Sequence, residues 1–238
     1  MTDERKTELL LCVKDIRKAY PGEGGNHPVL QGISLTMPEH TITVLLGKSG
    51  CGKTTLLRIL AGLERADGGE IRLAPAKKMA VVFQEPRLMP WLTVKKNAAF
   101  GGGREEDVLR ILRAVGLAGY ENALPHTLSG GMQQRAALAR ALAYEPDLIL
   151  MDEPFAALDY FTREQMQKKL IRVQEENRTG ILFVTHNIDE ALILGDRIAV
   201  MKAGKIAFSW EIPEKKGERD LLSGRMIDRK RQVLESLK

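Results

Sequence analysis

Cysteine is nearly absent: Cys12 and Cys51 are the only two in 238 residues. That number and spacing exclude a disulfide framework and a zinc site. No apolar run reaches the roughly 18 residues needed to cross a bilayer. The opening Met-Thr-Asp-Glu-Arg-Lys lacks the apolar core of a signal peptide. The expectation is a cytoplasmic protein that sits against a membrane, if at all, through a partner. An excess of one charge sign is also missing. The net charge of +5 is mild and spread along the chain, which favours an ordinary solvated surface over a nucleic-acid footprint. No internal repeat is visible. With 44% hydrophobic and 28% charged residues, the composition is that of a globular chain with a sizeable core. It fits one large domain, or one domain with a subdomain.

One stretch carries the chemistry. Gly47, Lys48, Ser49, Gly50, Cys51, Gly52, Lys53 and Thr54 fit the pattern G-x-x-x-x-G-K-[ST] of a phosphate-binding loop. Thr41–Leu46 before it reads as a buried strand, and the run from Thr55 to Leu60 reads as the start of a helix. The glycines let backbone N–H groups curl round a polyphosphate, and the helix adds its positive end. Lys53 supplies a charge for the outer phosphates. Thr54 offers a hydroxyl to Mg²⁺. These residues, with Thr55, are the candidate nucleotide-binding set.

The flanking elements follow in order. Residues 9–18 read as a strand, with Leu9, Leu11 and Val13 on one face. Tyr20 comes next, either stacking on an adenine or packing its ring on the sheet edge. The turn-rich Pro21–Asn26 leads to a second strand from about Val29 to Met37. Asp67–Glu70 is a turn, with a short strand Ile71–Leu73 after it. Met79–Phe83 reads as a buried strand, and Gln84 stands directly past its end. A side chain there reaches the ligand in an open α/β sheet. Gln84 is therefore a candidate to touch Mg²⁺ or an attacking water, the alternative being an ordinary surface glutamine.

Residues 86–128 change character. Val108, Leu109, Ile111, Leu112 and Val115 form a helical stripe over Arg104–Leu117. It predicts a helical subdomain inserted into an α/β core, with Gly101–Gly103 as a hinge or loop. Met89, Trp91 and Leu92 form either an exposed patch for a partner or part of that subdomain's core. Ser129 is a good N-cap, and Gly130 and Gly131 leave a helix start bare ahead of a strong helix over Ala136–Tyr144. That is a second anion site. Two phosphate sites in one domain make sense if Ser129, Gly130 and Gly131 serve a nucleotide bound to a second copy.

Asp147–Glu153 is an apolar strand ending in two acids. Asp152 suits a Mg²⁺ shell, and Glu153 is placed to orient or deprotonate the attacking water. Asp159 opens a helix running to Asn177. His186 sits immediately past the strand Ile181–Thr185, where it can hydrogen-bond a γ-phosphate. Asp196–Met201 and Lys205–Trp210 read as a hairpin around Ala203-Gly204. The tail Gly217–Lys238 reads as helical, with Arg225, Arg229, Lys230 and Arg231 as a solvated face.

Taken together, these elements resemble the ATP-binding subunit of ABC transporters over nearly all of residues 9–210. Gly47–Thr54 corresponds to the family's Walker A and Gln84 to its Q-loop. Leu128–Gln133 corresponds to the signature, which adds Gln133 to the nucleotide set. Leu148–Asp152 corresponds to Walker B, with Glu153 as the catalytic acid. Ala157–Asp159 corresponds to the D-loop, which adds Asp159, and His186 is the switch histidine. Tyr20 falls at the adenine-stacking position. The resemblance implies an α/β fold, a P-loop NTPase core sheet of the ABC type with an N-terminal antiparallel β subdomain. It also implies an inserted α-helical subdomain at about 86–144 and a helical tail over 211–238. Glu153, His186, Gln84 and Lys53 are the implied catalytic residues; Thr54, Gln84 and Asp152 are the implied Mg²⁺ ligands.

The implied activity is ATP hydrolysis coupled to transport. The implied partners are a second ATPase subunit, an identical copy being the simplest case, a membrane permease at the cytoplasmic face, and an extracytoplasmic solute-binding protein. Nucleic acid is not expected. Finer features are similar to bacterial importers of the nitrate, sulfonate and taurine group: Leu128–Arg135, Thr185-His186 followed by Asp189-Glu190-Ala191, and Val82–Trp91. Three positions depart from the pattern: Ala156 replaces a common Ser, Asn187 a common Asp and Met132 a common Gln. The rival readings are an exporter ATPase, a non-transport ATPase acting on nucleic acid or ribosomes, and a pure nucleotide-binding scaffold without turnover, against which the intact Glu153 argues. The second usually carries a long coiled coil or a second nucleotide domain, and neither is visible here.

Overall fold

Five strands in the chain are short, apolar and parallel, and they set the architecture. A computed structural model describes residues 8–22 and 25–237. The opening residues 1–7, Glu23 and Gly24 of the turn, and Lys238 of the tail lie outside the described residues. The main sheet has the spatial order β5 (Met79–Val82), β6 (Leu148–Asp152), β7 (Gly180–Thr185), β3 (Ile42–Gly47), β8 (Arg197–Lys202) and β9 (Lys205–Glu211). All neighbours are parallel except β9, which closes the edge as a hairpin with β8. Strands β3, β6 and β7 are buried along their whole length, as expected where both faces of a parallel sheet are covered.

Alternation along these strands feeds two cores. Ile42, Val44, Leu46, Ile149, Met151, Ile181 and Phe183 face a layer of helices. Leu45, Leu148, Leu150, Leu182 and Val184 face the other way, towards α1 (Lys53–Leu60) and a second sheet. That sheet is antiparallel, in the order β2 (Gly25–Pro38), β1 (Leu9–Gly22), β4 (Gly68–Leu73). Leu56, Leu57 and Leu60 of α1 are therefore packed in the core that lies between the two sheets. Between β5 and β6 the chain forms α2 (Val94–Ala99), α3 (Glu105–Ala114) and α4 (Gly130–Ala143). After β6 come α5 (Tyr160–Asn177), α6 (Ile188–Leu194) and the terminal α7 (Gly224–Leu237).

Several expectations are corrected. β1 and β2 are longer than read, 14 residues each, because they pair along their full length. Strand β5 ends at Val82, and only Val82 is fully buried, because β5 is the sheet edge. Helix α4 already begins at Gly130 rather than Ala136, since Ser129 caps it there. The tail helix starts at Gly224, not Gly217. Hydrogen bonds around Asp220 and Ser223 hold that stretch in turns. Nor is the tail's basic face simply solvated. Lys230 pairs with Asp189 at 2.6 Å and Arg229 with Glu214 at 3.3 Å. Met226 and Val233 are buried beneath them. Of the Met89–Leu92 group, Trp91 is 75% exposed, while Met89 and Leu92 are half-buried.

Candidate functional site

The strand order β5-β6-β7-β3 is what assembles the site. These four strands are adjacent and parallel. Their carboxyl ends therefore share one edge, where an open α/β sheet binds its ligand. Gly47 ends β3, Asp152 ends β6 and His186 follows β7, while Gln84 stands two residues past β5. A cavity of about 430 Å³ opens there, lined by Ser49, Gly50, Gly52, Lys53, Thr54, Thr55, Gln84 and Glu153. Val29, which no sequence pattern singles out, completes the wall.

Lys53 is 5% exposed. Its ammonium donates to the Gly47 carbonyl at 2.8 Å and the Lys48 carbonyl at 3.1 Å, so the lysine folds back along its own loop. Cys51 is half-buried, and burial pushes its thiol pKa up, against the lowering influence of Lys53. The Thr54 hydroxyl lies close to the Asp152 carboxylate. Burial raises the Asp152 pKa, the nearby Thr54 hydroxyl lowers it, and neighbouring Glu153 raises it again. A hydroxyl and a buried carboxylate in contact form an all-oxygen pair. That fits Mg²⁺, which takes few protein ligands and keeps its waters.

Glu153 has a left-handed backbone, φ 45°, an uncommon conformation for a residue with a Cβ. Its N–H bonds the Val184 carbonyl at 3.0 Å, which ties the bend to β7. Its carboxylate lies 3.0 Å from His186 Nδ1. The histidine is itself held by its loop. Thr185 donates its hydroxyl to Glu190 at 2.5 Å, and Asn187 N–H donates to the Thr185 hydroxyl at 3.0 Å. Asn187 Oδ1 caps α6 through the N–H groups of Asp189 and Glu190. Asn187-x-x-Glu190 is the spacing of a capping box, a local signal by which this turn could have been found from sequence. Burial raises the Glu190 pKa, against the bond from Thr185 and the nearby Arg163.

Other named residues lie apart from this cavity. Tyr20 is not in its lining. Its hydroxyl bonds the Glu64 carboxylate and lies within hydrogen-bonding reach of Thr55, so the ring stands beside the loop rather than in it. Ser129 caps α4, accepting from Met132 N–H at 3.3 Å. A Cβ on Gly130 would meet open space, and one on Gly131 would come within 2.9 Å of Leu158. Gln133 donates to the Pro125 and Leu128 carbonyls at 3.0 and 3.3 Å, bracing the turn before α4. Asp159 caps α5 through Thr162 N–H at 3.0 Å, and its pKa is lowered by the Thr162 side chain first and by this backbone bond second. None of these six residues lines the cavity.

Two side chains of α4 grip the segment round Gln84. Gln134 donates to the Phe83 carbonyl at 3.0 Å. Arg140 donates to the Arg87 and Pro86 carbonyls at 2.8 and 3.1 Å. Gln84 is thus strung between two points fixed on the helix that Ser129 caps. Asn97, fully buried, organises the loop after it, from Met89 to Thr93. It accepts from Met89 N–H at 2.8 Å and donates to the carbonyls of Met89, Leu92 and Thr93. None of the three was singled out from sequence, because their partners are backbone atoms, which leave no pattern of residue types.

Comparison with known proteins agrees with this geometry. The family model described as ABC transporter matches residues 30–156. The chain is 47% identical to an aliphatic sulfonates import ATP-binding protein, SsuB 2, of Pseudomonas syringae pv. tomato. That match covers 83% of this chain and 84% of the relative. It is 39% identical to an uncharacterized ABC transporter ATP-binding protein of Methanocaldococcus jannaschii, over 98% of this chain and 93% of the relative. Among solved structures, the dimeric bacterial ABC transporter cassette MJ0796 superposes with a TM-score of 0.79 at 29% identity. It covers 86% of this chain and all of the cassette. The post-hydrolysis dimer of the same cassette, bound to ADP and Pi, gives 0.78 at 30% identity, with the same coverage.

Proposed function

This chain belongs to the ABC transporter family as an ATP-binding subunit, and from that premise we propose how its residues divide the work. It is an ATPase that acts as a dimer with a membrane permease. Two copies face each other head to tail. Each ATP lies between Gly47–Thr55 of one copy and Ser129, Gly130 and Gly131 of the other. One observation carries this reading. The phosphate-loop cavity contains Lys53, Thr54, Gln84 and Glu153 but nothing from the bare start of α4, although Gly130 is open to a ligand. A helix N-terminus suited to phosphate and left outside its own pocket fits a pocket on a second molecule.

Within each site Lys53 neutralises the outer phosphates. Thr54 and Asp152, with Gln84 at hand, would hold Mg²⁺, which when bound offsets charge on the phosphates. Glu153 holds and polarises the attacking water, in an orientation fixed by its bent backbone and by His186. His186 reports the γ-phosphate. Tyr20 stacks against the adenine from beside Thr55, and Gln133 and Asp159 fix the two turns that meet the partner. Gln84 sits on a segment tied to α4, so a change at the phosphate moves the Met89–Leu92 loop, with exposed Trp91, against the permease. The relatives' names favour import of a small organic anion such as an aliphatic sulfonate, delivered by a solute-binding protein. The ATPase would lie on the cytoplasmic face of the membrane, held there by the permease.

The test is Glu153→Gln. Turnover should be lost while Mg²⁺ and ATP drive a stable dimer, seen as a doubled mass in light scattering. Near-normal hydrolysis would reject the role of Glu153, and a strictly monomeric variant would reject the shared pocket.

A further inference from the structure

Between α3 and the C-terminal half of α5 lies a cleft of about 480 Å³ that shares no residue with the phosphate-loop cavity. Its floor is apolar, made by Ile111, Leu142 and Val173. Its rim carries Arg110, Arg113, Lys169 and Arg172 against one carboxylate, Glu176. Two of these cations are answered within the protein. Arg110 pairs with Asp107 at 3.4 Å, and Arg172 with Glu176 at 2.8 Å.

Arg113 and Lys169 form no ion pair within 4 Å among the described residues. Glu121 feels Arg113 only from farther off. Lys169 also faces a third cation. Its Nζ and the Arg135 guanidinium crowd the same point, since a Cβ on Gly116 would lie 3.3 Å from one and 2.9 Å from the other. Arg135 is accounted for, because it caps the end of α3 through the Val115 and Gly116 carbonyls at 3.3 and 2.9 Å. Lys169 has no such bond among the described residues. Burial and the neighbouring Arg135 both push its pKa down. Like charges held together beside half-buried Lys169 repel, and no carboxylate within 4 Å of Lys169 offsets this among the described residues.

We propose that this cleft binds a small organic anion, with Arg113 and Lys169 gripping its head and its apolar body lying on Ile111, Leu142 and Val173. The chemistry of the head is an oxyanion: sulfonate, phosphate or carboxylate. Guanidinium and ammonium both pair with these, the guanidinium in a fork. The apolar floor selects an organic body over a bare inorganic ion. The size falls within the range of small-molecule sites and is too confined for a folded partner. A ligand here touches α3, inserted before β6, and α5, which follows β6, so it bridges the inserted helices and the helix that Asp159 caps.

Isothermal titration of the whole chain at fixed ionic strength tests this, using hexane-1-sulfonate, sodium sulfate and hexyltrimethylammonium as probes. The expected result is saturable 1:1 binding of hexane-1-sulfonate, weaker binding of sulfate and none of the cation. Arg113→Gln combined with Lys169→Gln should weaken the sulfonate at least roughly tenfold. Both positions are at the rim, and removing the repulsion should leave the unliganded variant at least as stable to heat as the parent. Arg113→Gln alone, on an exposed side chain, gives the same test should the pair fold poorly. Unchanged sulfonate binding in the variants, no saturation in the parent, or sulfate binding that equals the sulfonate's and is weakened by the same substitutions would overturn the proposal.

Discussion

Gly50 and Gly52 lie two residues apart in the phosphate loop, and both have left-handed backbones, φ 79° and 105°. Substituting alanine at each should separate binding from stability. A Cβ on Gly50 would meet nothing within 4 Å, so the cost is that of the backbone alone, about 1–2 kcal/mol. A Cβ on Gly52 would come within 2.9 Å of Leu30, 2.9 Å of Met201 and 3.0 Å of the Val29 carbonyl. Leu30 and Met201 are 2% and 0% exposed, so neither can swing aside without disturbing the core between the two sheets. Overpacking of that kind adds about 1–3 kcal/mol, for a total of about 2–5 kcal/mol.

A domain of this kind has about 5–15 kcal/mol to lose. Gly52→Ala should therefore shift the urea midpoint strongly and Gly50→Ala only slightly, at unchanged slope. Gly50 lines the cavity, and its new methyl group would stand in the open space where the phosphates approach. Gly50→Ala should then lose ATP affinity, read by equilibrium dialysis, while staying folded. Equal midpoints for the two variants would refute the packing argument, and undiminished ATP affinity in Gly50→Ala would refute the placement of the phosphates.

Asn97→Ala should cost about 2–3 kcal/mol in urea unfolding, since it orphans carbonyls of the Met89–Thr93 loop that the buried amide satisfies. Tryptophan fluorescence should also report a loosened Trp91, and an unchanged midpoint would show that water replaces the amide freely. Glu190 has a folded-state pKa raised by burial from 4.5. Its stabilising contribution is therefore present below 4.5 and is lost as pH rises through the raised value. Glu190→Gln keeps the bond from Thr185 but never ionises, so its melting temperature relative to the parent should climb as pH rises above 4.5. A difference independent of pH would remove burial as the dominant influence on Glu190.

Short-range features were legible in the chain alone. Gly47–Thr54, the acids Asp152-Glu153 after an apolar run, and His186 after another are each specified within about ten residues, because a strand end and a helix start depend on neighbouring side chains. The order of those motifs marked the family. Only the tertiary structure decided that β5, β6, β7 and β3 are neighbours, which brings Gln84, Glu153, His186 and Lys53 to one edge from well-separated positions in the chain. It also decided the length of β1 and β2, the docking of α7 through Lys230 and Asp189, and the hold of Gln134 and Arg140 on the segment round Gln84. These contacts join side chains to distant backbone or to distant charges. Their partners are chosen by how the sheet closes and the helices pack, and no local pattern of residue types records that choice.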